Sequence, residues 1–104
     1  MTELNSKQRK LLEKYAHPLE PVVIVGGAGV SEGVTEKTLQ SLNSHELIKV
    51  KFNEFKDEKN ELSAQLAADC NAVLVRIIGN VAILYKAKDE AKNQKYQKEL
   101  DKLQ

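Results

Sequence analysis

Four residues form the part of this sequence best suited to binding a ligand: Gly26, Gly27, Ala28 and Gly29. They follow the β-branched run 22–25 and precede a segment with helical spacing of apolar residues. Glycine adopts positive φ angles and lets a ligand approach the backbone closely. The N-terminus of the following helix offers N–H groups and the positive end of its dipole. This order of strand, glycine loop and helix favours the binding of a phosphate group.

The spacing of the glycines distinguishes among the known phosphate-binding motifs. A P-loop ends in Gly-Lys-Ser/Thr, whereas Gly29 is followed by Val30, so that motif is absent. The dinucleotide fingerprint G-x-G-x-x-G is matched only weakly by Gly27, Gly29 and Gly33, because one extra residue precedes the third glycine. The pattern G-x-x-G from Gly26 to Gly29 fits the loop that clamps a nucleic-acid backbone in KH-type modules. A plain strand-to-helix turn would have the same pattern.

The residue types that perform nucleophilic or acid–base catalysis are few. One Cys and two His are too few for the common structural zinc sites. His17 lies beside a proline and His45 begins a predicted strand, and neither is spaced to pair with a nucleophile. Cys70 lies on the apolar side of a predicted helix, where a Cys is usually an inert hydrophobe. We therefore predict no enzyme activity, no metal site and no cofactor.

Seven elements in the order α-β-α-β-α-β-β are predicted to position these residues in one α/β domain. The spacing of apolar residues predicts helices over 7–16, 31–43 and 61–70, and strands over 22–25, 45–52, 73–78 and 81–85. The unbroken run 22–25 predicts a strand covered on both faces. The alternating segment 45–52 predicts a strand with one partly solvated face. Gly79 and Asn80 are predicted to close a hairpin, and 53–60 is interpreted as a polar connection.

The charges are balanced overall but unevenly distributed. The 104 residues include 16 Lys+Arg and 15 Asp+Glu, a net charge of +1. This length is usual for one domain and excludes a multidomain enzyme, and the charge balance excludes a uniformly basic nucleic-acid coat. Segment 71–88 nevertheless holds three basic residues and no acid, whereas 57–70 holds one basic and four acidic residues. One face of the protein is therefore expected to be basic and another acidic.

A cytoplasmic location is expected from three features. The lone Cys cannot form an internal disulfide, which suits a reducing compartment. Residues 1–20 lack the apolar core of a signal peptide. No run approaches the ~18 apolar residues of a membrane span.

Residues 89–104 are predicted to form a charged, weakly held helical tail. Four lysines balance four acidic residues, and Tyr96, Leu100 and Leu103 form a thin apolar stripe. Such a stripe is expected to dock loosely, because a helix of this length is marginal in water. A chain that ends at Lys88 is therefore expected to fold and to keep its binding activity.

Residues spread over 6–88 carry a family resemblance. They are Ser6–Arg9, Leu12, Ala16–Leu19, Pro21–Val23, Gly26, Gly29, Glu32–Val34, His45–Lys51, Ile78–Gly79 and Leu84–Lys86. In this order they resemble the YhbY family of small bacterial RNA-binding proteins, which are stand-alone CRM domains. The same module occurs in chloroplast splicing factors.

The resemblance implies a fold, a partner and a binding surface. Residues 1–88 would form a CRM-type RNA-binding domain, a four-stranded mixed sheet with packed helices similar to the C-terminal domain of bacterial translation initiation factor three. Family members are associated with precursors of the large ribosomal subunit, so the implied partner is ribosomal RNA, with no DNA and no membrane. The implied contacts are the loop residues Gly26, Gly27, Ala28 and Gly29 and a basic face at Arg9, Lys10, Lys49, Lys51, Arg76 and Lys86.

This sequence departs from the family pattern at two points. Gly27-Ala28 stands where family loops often carry a Lys or Asn, so the loop must make contacts through its backbone. Lys86 stands where Arg is frequent, which replaces a planar fork of donors with a point charge.

Two other functions use the same features: a small nucleotide- or phosphate-binding subunit with the same loop, and a protein-interaction module. An affinity for RNA that depends on salt would distinguish RNA binding from both. Aromatic residues make up 5% of the chain and Trp is absent, which argues against a stacking platform of the RRM type. Recognition of RNA shape and backbone is therefore favoured over the reading of sequence.

Overall fold

The computed structural model describes residues 3–104, so the first two residues of the predicted 1–88 unit lie outside the described residues. The helices are α1 (Ser6–Ala16), α2 (Glu32–His45), α3 (Lys59–Asp69) and α4 (Gln97–Asp101), and the strands are β1 (Val23–Val25), β2 (Leu47–Phe52), β3 (Val73–Ile78) and β4 (Val81–Tyr85). Single 3₁₀ turns precede α3 at Lys56–Glu58 and α4 at Ala91–Asn93. The predicted α/β class and element order are confirmed. Within the helical tail predicted for 89–104 only α4 is an α-helix, and His45 ends α2 instead of beginning a strand.

The four strands form one mixed sheet in the order β1-β2-β4-β3. β1 runs parallel to β2 through the α2 crossover, and the remaining neighbours are antiparallel. β1 and β2 therefore end side by side, with Val25 opposite Phe52. The β3–β4 turn lies at the same end, since the Phe52 N–H donates to the Asn80 carbonyl at 2.8 Å. We call residues 26–29, 53–55 and 79–80 the loop end of the sheet.

Side chains cap the N-termini of the first two helices. The Asn5 side chain accepts a hydrogen bond from the Gln8 N–H, and the Gln8 side chain accepts one from the Asn5 N–H, which is a capping box. The Ser31 hydroxyl accepts from the Val34 N–H at 3.3 Å at the start of α2. The α1 helix ends at Ala16, before the proline that follows His17.

The sheet lies between two layers of helix. Its inner face packs against α2 and α3, and the buried side chains there include Val23, Val25, Leu42, Ile48, Val50, Phe52, Leu66, Ala82 and Leu84. Its outer face packs against α1 and the C-terminal segment through Leu12, Ala16, Leu47, Val75, Ile83, Tyr85 and Leu100. The alternation predicted for β2 is confirmed, since Ile48 and Val50 are buried inside while Lys51 is exposed.

The expectation that both faces of β1 are covered is wrong for the outer face. Val23 and Val25 are buried against the inner core, but Ile24 between them is 46% exposed. β1 is an edge strand, and α1 packs over β2 and β3 instead. The outer face is therefore open near the loop end.

Residues 89–104 are integrated into the core, in contrast to the loose docking that the sequence predicts. Leu100 is 1% exposed within the outer cluster, and its carbonyl accepts a hydrogen bond from the Gln8 side chain at 2.9 Å. The buried Glu46 carboxylate accepts the N–H groups of Lys88 and Lys95, each at 2.6 Å. The segment is helical only over α4, and its position depends on these long-range contacts.

Within residues 3–104, every helix is too short or too polar to traverse a lipid bilayer.

Candidate nucleic-acid interface

The glycine loop forms a tight turn that requires glycine at one position. The Gly29 N–H donates to the Gly26 carbonyl at 3.0 Å, and Gly29 has a φ of +72°. Other residues are strained at such an angle. A Cβ added at Gly26 or Gly27 would have no neighbouring atom within 4 Å. Gly29 therefore shapes the turn, whereas Gly26 and Gly27 leave open space beside the backbone.

A second loop is held against this turn by hydrogen bonds. The N–H groups of Asn53 and Glu54 both donate to the Val25 carbonyl, at 3.0 and 3.3 Å. They bring Phe55 against Gly29, where an added Cβ would lie 3.4 Å from Phe55 Cε2. Phe55 is 42% exposed. The sequence interpretation of 53–60 as a polar connection overlooked this residue, because a single aromatic in a polar stretch shows no periodicity.

Arg9, which the family resemblance places on the RNA-binding face, is hydrogen-bonded to the backbone of the domain. Its Nη1 donates to the carbonyls of Leu74 and Val75, at 2.9 and 2.6 Å, where β3 has a bulge. Its Nε donates to the Leu4 carbonyl at 3.3 Å. The guanidinium therefore fastens α1 to β3 and has few donors left for a ligand.

Lys49, like Arg9, donates its side-chain hydrogen bonds to backbone carbonyls of the domain. Its ammonium group donates to the carbonyls of His17 and Leu19, at 3.1 and 3.0 Å. Both acceptors belong to the linker between α1 and β1. The Lys49 side chain thus holds this linker against the outer sheet face while its charge stays near the surface.

Lys51 and Arg76 lie on the open part of the outer face. Lys51 is exposed and pairs across β1 and β4 with Ile24 and Val81. The side chain of Arg76 is 61% exposed and lies 3.6 Å from the Glu13 carboxylate. An exposed ion pair of this kind is weak, so Arg76 can exchange this partner for another anion. A cavity of about 370 Å³ separates α1 from this part of the sheet.

Lys86 does not join the other predicted contacts at the loop end. It follows Tyr85, which pairs with Leu47 at the opposite end of the sheet. At about 3.3 Å per residue, Lys86 lies about 17 Å along the strand from Val81. The structure therefore separates Lys86 from the glycine loop.

Lys10 belongs to an exposed stripe that the sequence predicted only in part. Lys7, Lys10 and Lys14 are all exposed and recur at helical spacing along α1. We call these three residues the α1 stripe. Because α1 packs on the outer sheet face, the stripe lies on the same side of the molecule as Lys51 and Arg76.

The opposite side of the molecule is acidic. The exposed charged side chains of α2 and α3 are Glu32, Glu36, Lys37, Glu61 and Asp69, four acids against one base. The predicted acidic face is therefore present on α2 and α3. The field of a nearly neutral protein can therefore orient a polyanion toward the α1 side.

The groups considered for catalysis do not form a reactive arrangement in the described part of the chain. His17 and His45 are exposed at the ends of α1 and α2. Cys70 is 1% exposed, and burial raises the pKa of its thiol, so the less nucleophilic protonated form persists near neutral pH. Among residues 3–104, no three His, Cys, Asp or Glu side chains are grouped so that they could hold a metal ion.

Known proteins similar to this chain share one description. This chain is 41% identical over 95 residues to an RNA-binding protein of Haemophilus influenzae, and the alignment covers 90% of this chain and 96% of the relative. It is 34% identical over 90 residues to the probable RNA-binding protein YqeI of Bacillus subtilis, covering 86% and 94%. A solution structure from Staphylococcus aureus, of a protein proposed to bind RNA, superposes with a TM-score of 0.74 at 32% identity, covering 89% of this chain and 98% of that one.

The match to a family model agrees with these relatives. The model describes the CRS1 / YhbY (CRM) domain, and it covers residues 4–86, which include the glycine loop, the α1 stripe and the whole sheet. The chain belongs to the CRS1/YhbY (CRM) domain family.

Proposed function

We propose that this protein binds RNA through its glycine loop and the basic side of the molecule, and that it catalyses no reaction. Its RNA is proposed to be ribosomal RNA in precursors of the large subunit, whose assembly it would assist. Membership of the CRM family and relatives named as RNA-binding proteins support the proposal. The RNA contacts are assigned within residues 1–88, and residues 89–104 are assigned a role in folding.

The observation that carries this proposal is the open space around Gly26 and Gly27. A backbone without neighbouring side chains lets a phosphate approach closely. The first turn of α2, which Ser31 caps, follows the loop and contributes the positive end of its helix dipole. A phosphate at this loop would lie near Lys51, because β1 and β2 end together.

The basic side extends this contact to neighbouring phosphates. Lys51, Arg76 and the α1 stripe offer separate charges on one side of the molecule, and α2 and α3 offer acids on the other. Cations that contact phosphates from a folded scaffold recognise the shape of an RNA backbone more than its base sequence. Binding should therefore depend strongly on salt and weakly on sequence.

The proposal is tested with a structured fragment of large-subunit ribosomal RNA. The dissociation constant is measured across a series of salt concentrations, with ATP and inorganic phosphate as competitors. RNA binding is expected to weaken steadily with salt and to resist millimolar concentrations of both competitors. Competition by ATP at such concentrations would instead indicate a nucleotide-binding subunit. For the ribosomal assignment, the protein should co-sediment with large-subunit precursors on a low-salt gradient, and its absence from these fractions would contradict that assignment.

Single lysine substitutions should reduce the salt dependence stepwise. Lys10→Gln and Lys51→Gln are each expected to weaken binding to different RNAs alike and to lower the slope of log affinity against log salt by about 0.7–0.9. Lys37→Gln is the matched control, because Lys37 is exposed on the acidic side. An unchanged slope for Lys51→Gln, or an equal effect of Lys37→Gln, would place the interface elsewhere.

A further inference from the structure

Phe55 has an unusual position for an aromatic residue. It lies in a polar stretch and is 42% exposed. Its backbone has φ +56° and ψ +38°, the left-handed region that bulky side chains rarely adopt. Gly or Asn would adopt this conformation with less strain. The local turn therefore gives no reason for a Phe at this position.

The ring is nevertheless held in one place. The two N–H bonds to the Val25 carbonyl hold the preceding residues, and the Phe55 carbonyl accepts the Glu58 N–H at 3.1 Å as the 3₁₀ turn begins. One edge of the ring lies against Gly29, whose missing side chain leaves room for it. The ring is thus fixed beside the glycine loop while a large part of it stays in solvent.

The other aromatic side chains are used inside the fold. Phe52 is 1% exposed. Tyr96 lies between Tyr15 and Tyr85, with ring centroids 5.3 and 6.2 Å away. These four and Phe55 are all the aromatic residues of the chain. Phe55 takes no part in this packing, and it lies next to the loop where a phosphate is proposed to bind.

We propose that Phe55 stacks on one unpaired nucleobase of the bound RNA. A neighbouring phosphate of the same strand would then bind at the glycine loop. The inference rests on the proposed function and adds a preference for RNA that contains an unpaired nucleotide. Every base has a π-face that an aromatic ring can cover, so stacking is tolerant of sequence. A base within a duplex is already stacked, so the RNA should present a bulged or looped nucleotide. Lys56 next to Phe55 is exposed, but so are the acids Glu54, Asp57 and Glu58, so this contact is expected to depend on stacking and not on local charge.

Two RNA hairpins of equal length test this inference, one fully paired in its stem and one with a bulged nucleotide. Phe55→Ala is expected to weaken binding of the bulged RNA by about 5- to 150-fold, the range of a single stacking contact. It should change binding of the paired RNA less than twofold. Phe55→Trp should retain binding of both. Leu39→Ala is the matched control, since Leu39 is an exposed apolar residue on α2.

Fluorescence provides a direct measure of stacking, because the chain contains no Trp. Phe55→Trp introduces a single reporter, whose emission should be quenched by the bulged RNA and much less by the paired RNA. Leu39→Trp places the reporter on the acidic side, where neither RNA should quench it. Equal emission of Phe55→Trp with and without the bulged RNA would overturn the inference.

A structural role for Phe55 would give a different result. In that case Phe55→Ala would lower the thermal midpoint and weaken both RNAs equally, and stacking would be excluded. Phe55→Gly, which suits the left-handed backbone, should keep the midpoint and still lose affinity for the bulged RNA. A further outcome is that the wild type binds both RNAs with the expected salt dependence while Phe55→Ala and Phe55→Gly leave both affinities unchanged. That result would contradict the stacking inference but not the proposed function. If the wild type binds neither RNA, the proposed function fails as well.

Discussion

In contrast to the expectation from the sequence, a chain that ends at Lys88 should lose cooperative folding, because residues 89–104 complete the outer core. Leu100 is fully buried against α1 and β4. Truncating a buried leucine to alanine typically costs about 2–5 kcal/mol, and removal of the whole segment also exposes Tyr85, which contacts Tyr96 and Gln97. Domains of this size have about 5–15 kcal/mol of stability in total. The truncated chain is therefore left with little or none.

The buried Glu46 increases this loss. Glu46 is 1% exposed, and its carboxylate accepts N–H bonds from Lys88 and Lys95. Truncation removes the Lys95 N–H and leaves the carboxylate with one of its two backbone donors. A buried polar group that loses its partner costs about 1–3 kcal/mol, and more when it is charged. Because these costs act in the same cooperative unit, they add to the loss of Leu100.

Urea unfolding followed by circular dichroism measures these effects. The truncated chain should show no cooperative transition, and Leu100→Ala in the full chain should lower the free energy of unfolding by about 2–4 kcal/mol. Lys98→Ala is the matched control, since Lys98 is an exposed α4 residue, and it should change stability by less than about 0.5 kcal/mol. A truncated chain that unfolds at the same urea concentration as the full chain would show that the tail only rests on the domain.

The sequence predicts the elements of the domain well and the role of its last 16 residues poorly. Strands β3 and β4 begin and end where their apolar runs predict, because hydrophobic periodicity is a local signal. The contacts of Glu46 with Lys88 and Lys95 span 42 and 49 residues, and no local pattern marks such a carboxylate as buried. The exposure of Ile24 has a similar origin, since strand order decides which strand lies at the edge.

The binding surface was predictable as a charge pattern but not residue by residue. Arg9 and Lys10 are adjacent in sequence, yet Arg9 donates to β3 carbonyls while Lys10 is exposed. Lys49 and Lys51 differ in the same way on β2. Whether a cation meets a backbone carbonyl depends on the bulge in β3 and on the path of the α1–β1 linker. Both features arise from the tertiary structure, and no residue type in the sequence marks them.

Charge placed on the glycine loop is expected to have the largest effect on RNA affinity. Gly29→Asp should weaken binding strongly while the fold survives, for two separate reasons. It puts a carboxylate where a phosphate is proposed to approach, and it puts a Cβ at φ +72°, 3.4 Å from the Phe55 ring. Asp tolerates the left-handed region better than most residues, so the thermal midpoint should fall by only a few degrees. Because the backbone and Phe55 are both disturbed, this variant alone does not isolate the charge.

Substitutions at Gly27 isolate the effect of charge at the glycine loop. Gly27 lacks a positive φ, and an added Cβ would have no neighbour within 4 Å, so Ala, Asp and Lys should all be accommodated without strain. Two like charges 4 Å apart repel by about 1 kcal/mol in water and about 4 kcal/mol near a protein surface. Gly27→Asp should therefore weaken RNA binding by about 10- to 100-fold, Gly27→Ala should have little effect, and Gly27→Lys should strengthen binding and steepen its salt dependence. Filter binding at two salt concentrations measures the whole series. Equal affinities for the Asp, Ala and Lys variants, at unchanged thermal midpoints, would remove the glycine loop from the interface and leave the α1 side of the molecule as the remaining surface for RNA.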